Sequence, residues 1–225
     1  MKFNQMWISL CRPLLVFGAI TFLHGCRIGR PQQDPTRFYV LTVPGRTTES
    51  LARDEVQRYR IGLKPFEVPV YLQSKSMVVR AGTNEIMFAD FDRWAEPLAQ
   101  GVSRVMKEEL GEAPNVASVT LNSHESADLD FLVSIRISAC EGVRWEKGGS
   151  FVRFATSWEI QAVGTNALPN RRGGFISDRI TWDGRSYAQL AERLSGAVAN
   201  ASIALSADLP VDAGLPSKTQ RKVRP

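Results

Sequence analysis

The chain has 225 residues, with 28 lysines and arginines against 23 aspartates and glutamates, which gives a formal net charge of +5. Two of the positive charges lie in the first 25 residues and four lie after Pro216, so the segment between them carries about −1. A nucleic-acid-binding domain would carry its basic charge on the folded part of the chain. The charge distribution therefore excludes that class, and it predicts that residues 211–225 form a basic, disordered tail.

The first 25 residues contain an apolar run of 11 residues, Pro13–Leu23, and no aspartate or glutamate. A helix that spans a bilayer needs about 20 apolar residues, whereas a shorter run suits the hydrophobic centre of a secretory signal peptide. We therefore interpret residues 1–25 as an export signal and leave them out of the fold prediction.

The signal is followed by Leu23-His24-Gly25-Cys26, which resembles the lipobox of bacterial lipoproteins. In that motif the polypeptide is cut before the cysteine, which then carries a diacylglycerol and an N-acyl chain. More than one acyl chain is needed, because a single acyl chain binds a membrane only marginally. His24 stands where a small residue is usual, so an ordinary signal peptide with an incidental Cys26 is the alternative. Arg27 stands where aspartate would favour retention at the inner membrane. The motif predicts a protein anchored through Cys26 to the periplasmic face of the outer membrane.

Cysteine usage is consistent with this reading. Cys11 would leave with the signal and Cys26 would take the lipid, so Cys140 is the remaining thiol of the mature chain. A single thiol cannot form an intramolecular disulfide, and the domain must be stabilised by its core. We expect Cys140, in an apolar strand, to be a small buried side chain rather than a reactive one.

Residues 26–35 are predicted to be the lipidated N-terminus and spacer, and residues 36–210 a single domain. Alternation and turn residues predict, in chain order, a strand at 37–41, a polar loop to about 57, an extended edge or bent segment at 58–72, and a hairpin of 77–80 with 85–89. A helical period predicts a first helix at about 93–111, with Pro97 in its first turn and Asp90 or Asp92 as its cap.

In the second half, a short strand is predicted near 116–120, and apolar residues alternate over 131–138 and again over 152–160, around a turn at Gly148-Gly149. These two runs predict a long antiparallel hairpin. A third strand is expected at 175–182 after a turn at 171–174, and a helix at 187–209. The sum is an α+β fold, in which an antiparallel or mixed β-sheet is covered by two amphipathic helices in a single domain behind a lipoprotein signal peptide.

The residues that catalysis needs are missing from the sequence. Neither a G-x-x-x-x-G-K-[ST] phosphate loop nor a G-x-S-x-G nucleophile elbow occurs. His124 is the sole histidine of the mature chain, and Ser123 and Asp128 in the same loop are too close in sequence to form a catalytic triad with it. Phe154 and Trp158 could line a lipid groove, but alternating strand aromatics favour the core. We therefore expect no enzyme activity, no catalytic residue, no metal and no cofactor beyond the lipid on Cys26.

Several short motifs carry a family resemblance. They are Phe38-Tyr39-Val40-Leu41, then Val68-Pro69 with Tyr71-Leu72, then Val78-Val79-Arg80, and Arg93 through Leu98 in the order Arg-Trp-Ala-Glu-Pro-Leu. Together with the later hairpin and closing helix, they resemble the ABC-type transport auxiliary lipoproteins, the PqiC-like family, over roughly residues 36–210. The loop at 43–57, His24 and the basic tail depart from the family pattern.

The resemblance implies a role without chemistry. Such lipoproteins accompany transport systems of the mammalian-cell-entry (MCE) type, which move lipids between the inner and outer membranes. The expected partners are a periplasmic MCE-domain protein with its membrane transport complex and the outer membrane itself, and a homo-oligomeric ring is one arrangement that the resemblance allows. The alternative is a lipoprotein that binds lipid, or helps to assemble another machine of the cell envelope.

Arg93, Trp94 and Glu96 are the predicted partner-binding residues, because tryptophan and arginine dominate interface hot spots. A structural interpretation stands beside this one. Trp94 would begin the buried stripe of the first helix, and Glu96 would favour the positive end of its dipole.

Overall fold

The computed structural model describes residues 33–45, 58–124, 128–145, 149–164 and 169–210. The chain divides into two compact units, Met1–Pro35 and Thr36–Pro225. The predicted signal peptide, Cys26, most of the spacer, most of the loop before residue 58, Gly148 and the basic tail lie outside the described residues. Within the described ranges, no helix has the length and apolar character to cross a bilayer.

Nine strands and two α-helices make up the described part of the second unit. The strands are β1 (Arg37–Tyr39), β2 (Tyr59–Leu63), β3 (Ser76–Ala81), β4 (Glu85–Trp94), β5 (Val116–Leu121), β6 (Phe131–Trp145), β7 (Gly149–Ala162), β8 (Arg171–Ile176) and β9 (Ile180–Trp182). The helices are α1 (Leu98–Gly111) and α2 (Tyr187–Asp208), and a 3₁₀ turn, Val70–Gln73, precedes β3. The predicted α+β class is confirmed.

The hairpin of β6 and β7 is the spine of one mixed sheet. The two strands pair antiparallel along nearly their whole length, from Phe131 opposite Ala162 to Trp145 opposite Gly149. On its other side β6 pairs in parallel with β2 near its start and with β3 near its end. The sheet continues from β2 to β5 and from β3 through β4 to β1, while β8 and β9 extend it beyond β7.

One face of this sheet packs against both helices. The apolar side chains of β6 at alternate positions, from Phe131 to Ile137, point to that face. So do the apolar side chains of β7 at alternate positions that include Phe154. A register shift between Ile137 and Ala139 changes the alternation of β6, so Cys140 and Gly142 face the helices after it. The helices add two apolar stripes, Val102, Val105, Met106 and Leu110 from α1, and Leu190, Leu194, Val198, Ala201 and Leu205 from α2.

The first helix begins five residues later than the sequence predicts. Strand β4 runs to Trp94, because Asp92 and Trp94 alternate on one face and pair in register with β1. Pro97 disfavours helical backbone at the residue before it, so the helix begins after the proline, which is its N-cap. Neither Asp90 nor Asp92 caps the helix, since both lie within β4.

Three other element predictions were wrong. The residues predicted as a turn at 171–174 are the first part of β8, because Gly173 and Gly174 allow the strand to approach β7 and Trp158 closely. The strand predicted at 175–182 is divided into the end of β8 and β9. Strand β2 is an interior strand rather than an edge, since its two prolines, Pro65 and Pro69, come after it.

Candidate functional site

The three predicted partner-binding residues do not form one surface. Trp94 is buried at 4 % exposure and lies in the core. Glu96 accepts a hydrogen bond of 2.6 Å from Arg104, which also donates to the carbonyl of Leu41 at 2.8 Å. Arg104 therefore joins α1 both to Glu96 and to the segment after β1. Arg93 is exposed and is the register neighbour of Phe38. The partner role of these residues stays a prediction.

Asp92 attaches the first strand to the sheet. Its buried carboxylate accepts a hydrogen bond of 2.8 Å from the hydroxyl of Tyr39 and pairs with Arg37 at 2.9 Å. Burial, then the hydrogen bond to Asp92, raises the pKa of Tyr39. The chain leaving β1 is fixed by Thr42, whose backbone N–H donates to Ser195 of α2 at 3.0 Å. The entry of the chain into the domain is thus positioned by both helices and by β4.

A set of apolar side chains is exposed at the same edge. Between the pairs Val78–Phe88 and Ser76–Arg93, β4 has three more residues than β3. This odd number changes the alternation of β4, so its buried positions Ala89 and Asp92 are three residues apart. Phe88 and Phe91 therefore both point away from the helices, as do Phe38 of β1 and Val40 just after β1. We call these four residues the edge patch. Their exposed fractions are 62 % for Phe38, 47 % for Val40, 48 % for Phe88 and 50 % for Phe91.

The face of the sheet that the helices leave open, here called the helix-free face, has a polar groove over the spine hairpin. The groove has a volume of about 580 Å³, and its charged lining residues are Lys64, Glu67, Arg136, Glu159 and Arg172. Arg136 pairs with Glu67 at 2.8 Å and Arg172 pairs with Glu159 at 3.5 Å. A hydrogen bond from Asn170 and the charge of Arg172 lower the pKa of Glu159. Paired charges of both signs suit a polar protein surface better than an acyl chain.

A second, wider cleft of about 800 Å³ lies at the tip of the spine hairpin. Glu85, Arg144, Trp145, Asp183 and Arg185 contribute to its lining. Arg144 is held in place because its guanidinium lies over the Trp182 ring, 5.5 Å from the centroid. This cleft is also lined by charges of both signs, and the large apolar side chain in its lining is the exposed Trp145.

Two of the family-like motifs meet at a buried glutamate that the sequence analysis did not single out. Glu141 is completely buried and pairs with Arg80 at 2.6 Å. The hydroxyl of Tyr71 donates to the same carboxylate at 3.1 Å. Glu141 raises the pKa of Arg80, while burial and then the charge of Glu141 raise the pKa of Tyr71. An acidic residue within an apolar strand was the signal in the sequence that could have identified it.

The cluster of Arg80, Tyr71 and Glu141 fixes the 3₁₀ turn on the sheet. Glu141 neighbours Gly142, whose missing side chain makes room for Trp182 on the helix-covered face, so Glu141 points to the helix-free face. The turn presents Val70 at 82 % exposure beside the anchored Tyr71. The two motifs therefore have a structural role in shaping the helix-free face.

The residues from which a hydrolase could be sketched are not arranged as a triad. Ser123 is buried, and its hydroxyl donates to the carbonyl of Thr120 at 3.0 Å. His124 is exposed, and Asp128 lies 3.9 Å from Arg60. Among the described residues, no group of three or more His, Cys, Asp and Glu side chains could hold a metal ion. Cys140 is buried, and burial raises the pKa of its thiol, which keeps it protonated.

The sequence matches the family of ABC-type transport auxiliary lipoprotein components over residues 39–205. No curated protein sequence matches the chain significantly. A crystal structure from Xanthomonas campestris, assigned to the DUF330 family, superposes with a TM-score of 0.60 at 12 % identity and covers 79 % of this chain and 96 % of its own. A second crystal structure, of an uncharacterized protein, gives a TM-score of 0.57 at 14 % identity over 78 % and 99 % of the two chains.

A PelC dodecamer from Paraburkholderia phytofirmans is a more distant neighbour, with a TM-score of 0.34 at 12 % identity over 71 % of this chain and 91 % of its own. At that similarity it carries no argument about the assembly of this chain. The two nearer structures show that the fold is shared, and the sequence match covers most of the described domain. The chain belongs to the ABC-type transport auxiliary lipoprotein family.

Proposed function

We propose that this protein is the outer-membrane docking component of an ABC/MCE-type system that moves lipids between the inner and outer membranes. The observation that supports the proposal most strongly is the family match over residues 39–205, which makes the chain an auxiliary component of an ABC-type transporter. In the proposed role the protein acts by binding and positioning. It is not an enzyme, it needs no metal or cofactor, and its only prosthetic group is the lipid on Cys26.

In the proposed function the lipid on Cys26 attaches the protein to the membrane, and the folded domain binds the partner. Cys26 holds the chain at the periplasmic face of the outer membrane through its acyl chains, each buried methylene contributing about 0.8 kcal/mol. The ten residues from Cys26 to Pro35 separate the lipid from Thr36, where the second unit begins. At about 3.5 Å per extended residue, they allow the domain to stand up to roughly 35 Å from the bilayer. Anywhere within that reach of the outer membrane, an MCE-domain protein anchored at the inner membrane could meet the domain.

The helix-free face is the proposed docking surface for that partner. It carries the groove over the spine hairpin, where Arg136 and Arg172 are largely exposed despite their ion pairs. Exposed arginines in a rigid sheet favour a protein partner, since arginine is enriched at interfaces and the sheet positions it without a loss of backbone entropy. The alternative function, a carrier or assembly factor of another envelope machine, would need an apolar cavity for lipid or a different partner.

Recruitment of the partner to vesicles tests the proposal. Lipidated protein is reconstituted into vesicles, and binding of the MCE-domain protein from a neighbouring gene is measured by flotation. We expect recruitment by the wild-type protein, a large loss in the Arg136→Glu, Arg172→Glu double variant, and no loss in Lys107→Glu, a control on the exposed side of α1. Co-purification of loosely bound lipid with no recruitment of the MCE-domain protein would instead favour the carrier function and contradict the proposal.

A further inference from the structure

We infer that the edge patch is a second membrane contact, which lies against the lipid headgroup region of the same bilayer that holds the anchor. The inference rests on the lipid anchor of the proposed function. It adds a surface of the folded domain to that anchor and names its occupant, a lipid surface.

The character of the patch is unusual for an exposed surface. Phe38, Val40, Phe88 and Phe91 are all large, apolar and about half exposed. They lie in β4, in the neighbouring β1 and directly after β1, on the same side of the sheet. Single exposed apolar residues are ordinary, whereas several of them on one side of two neighbouring strands point to a binding surface or a membrane contact. Three of the four are phenylalanines, whose rings fit the boundary between headgroups and acyl chains.

With the proposed anchor at Cys26, the covalent structure keeps this surface within reach of the bilayer. Phe38 is the twelfth residue after Cys26, and β1 is the first element of the domain. The tether therefore enters the domain beside the patch, and the hydrogen bonds of Tyr39 and Thr42 hold that entry point rigidly against β4 and α2. Among the exposed large apolar side chains of the described residues, Phe38 is covalently nearest to the proposed lipid. The local concentration of the bilayer at the patch is high for that reason.

The charge beside the patch is compatible with binding to a membrane, but it is too small to be the main source of the binding free energy. Arg93 is exposed next to Phe38, and its aliphatic stem can lie along the patch while the guanidinium reaches phosphates. Asp90, exposed in the same strand, offsets this charge. We therefore expect the contact to depend on apolar insertion and to respond only weakly to the fraction of anionic lipid.

Site-specific fluorescence can test the contact on the lipidated protein. Phe38→Cys and Phe91→Cys are each labelled with an environment-sensitive dye, and Ile203→Cys on α2, which is 45 % exposed, is the matched control. The native cysteines do not interfere, because Cys140 is buried and Cys26 carries the lipid. The protein is then incorporated into vesicles of phosphatidylethanolamine with a minor fraction of phosphatidylglycerol, with and without brominated acyl chains.

The expected result is a blue shift at positions 38 and 91 in vesicles, with quenching by brominated lipid, and neither effect at position 203. A blue shift without quenching would mean that a second copy or another protein covers the patch, and would overturn the inference. Unshifted labels on a protein that floats with the vesicles would overturn it too, while leaving the anchor intact. If the wild-type protein does not float, the anchor fails and the inference fails with it. Loss of partner recruitment alone would contradict only the docking role.

Discussion

The two faces of the sheet are built from different chemistry. The helix-covered face is almost entirely apolar and closed, with Phe154, Trp158 and Trp182 buried under α2. The helix-free face carries the fully buried Glu141, paired arginines and glutamates in a groove, and the exposed phenylalanines of the edge patch. The first face accounts for stability. The second contains the features that a binding protein needs and that stability alone does not explain.

Core truncation should have the largest effect on stability. Phe154→Ala removes a completely buried ring from the helix-covered face, and we expect a loss of roughly 3–5 kcal/mol in the free energy of unfolding. Phe91→Ala, the matched change in the edge patch, should cost under about 1 kcal/mol, since half of that ring is already exposed. Urea denaturation of both variants gives the comparison. Equal losses would show that the two faces do not differ as described.

Disruption of the buried ion pair between Glu141 and Arg80 on the helix-free face should have the second largest effect on stability. Glu141→Ala leaves Arg80 without its carboxylate in a largely buried site, which we expect to cost about 3 kcal/mol. The double variant Glu141→Met, Arg80→Met removes both charges and should recover most of that loss. A double variant less stable than Glu141→Ala would argue that packing, rather than charge, determines the effect.

Two tyrosines, Tyr71 beside Glu141 and Tyr39 beside Asp92, predict a loss of stability at alkaline pH. The pKa values of Tyr71 and Tyr39 are raised above 10.0, so the folded state keeps their protons more strongly than the unfolded state. Their contribution is complete below pH about 10 and is lost as pH rises through the folded-state pKa values. Tyr71→Phe should flatten the decline of unfolding free energy measured between neutral and strongly alkaline pH. An unchanged slope in both Tyr71→Phe and Tyr39→Phe would rule out this source.

The smallest effect on stability is expected in the groove. Arg136 and Glu67 form an exposed pair, so Arg136→Ala should change the free energy of unfolding by less than about 1 kcal/mol. Thermal unfolding and partner recruitment measured on the same variant separate stability from binding. A variant that loses recruitment while keeping its melting temperature supports the helix-free face as the docking surface, and one that keeps both would not.

The elements of the fold that the sequence predicts are those whose apolar pattern is local in the sequence. The spine hairpin and the helix at 187–209 were predicted well, because each buries one face and its apolar period is local in the sequence. The ends of β4 and α1 were not, because Trp94 fits either a strand or a helical stripe until its pairing with β1 is known. The sequence alone places Pro97 in the first turn of the helix, whereas in the structure its restriction on the backbone of Glu96 sets the boundary.

The candidate site was less predictable than the fold. Of Arg93, Trp94 and Glu96, only Arg93 is placed on an exposed surface beside an apolar patch, while Trp94 is in the core and Glu96 pairs with Arg104. The edge patch depends on three extra residues in β4, relative to β3, which reverse the alternation between Ala89 and Asp92. Glu141 meets Arg80 and Tyr71 across about 60–70 residues of sequence. Pairings of that separation depend on strand order, which one sequence does not specify.

Tethering of two membranes is the most direct test of the proposed docking role. Vesicles that carry the lipidated protein are mixed with vesicles that carry the MCE-domain protein in its membrane complex, and clustering is followed by light scattering. The account predicts clustering that requires both proteins and that is lost in the Arg136→Glu, Arg172→Glu double variant. If both proteins are incorporated in their vesicles and no clustering occurs, the protein is not a bridge between the membranes and the proposed function is contradicted.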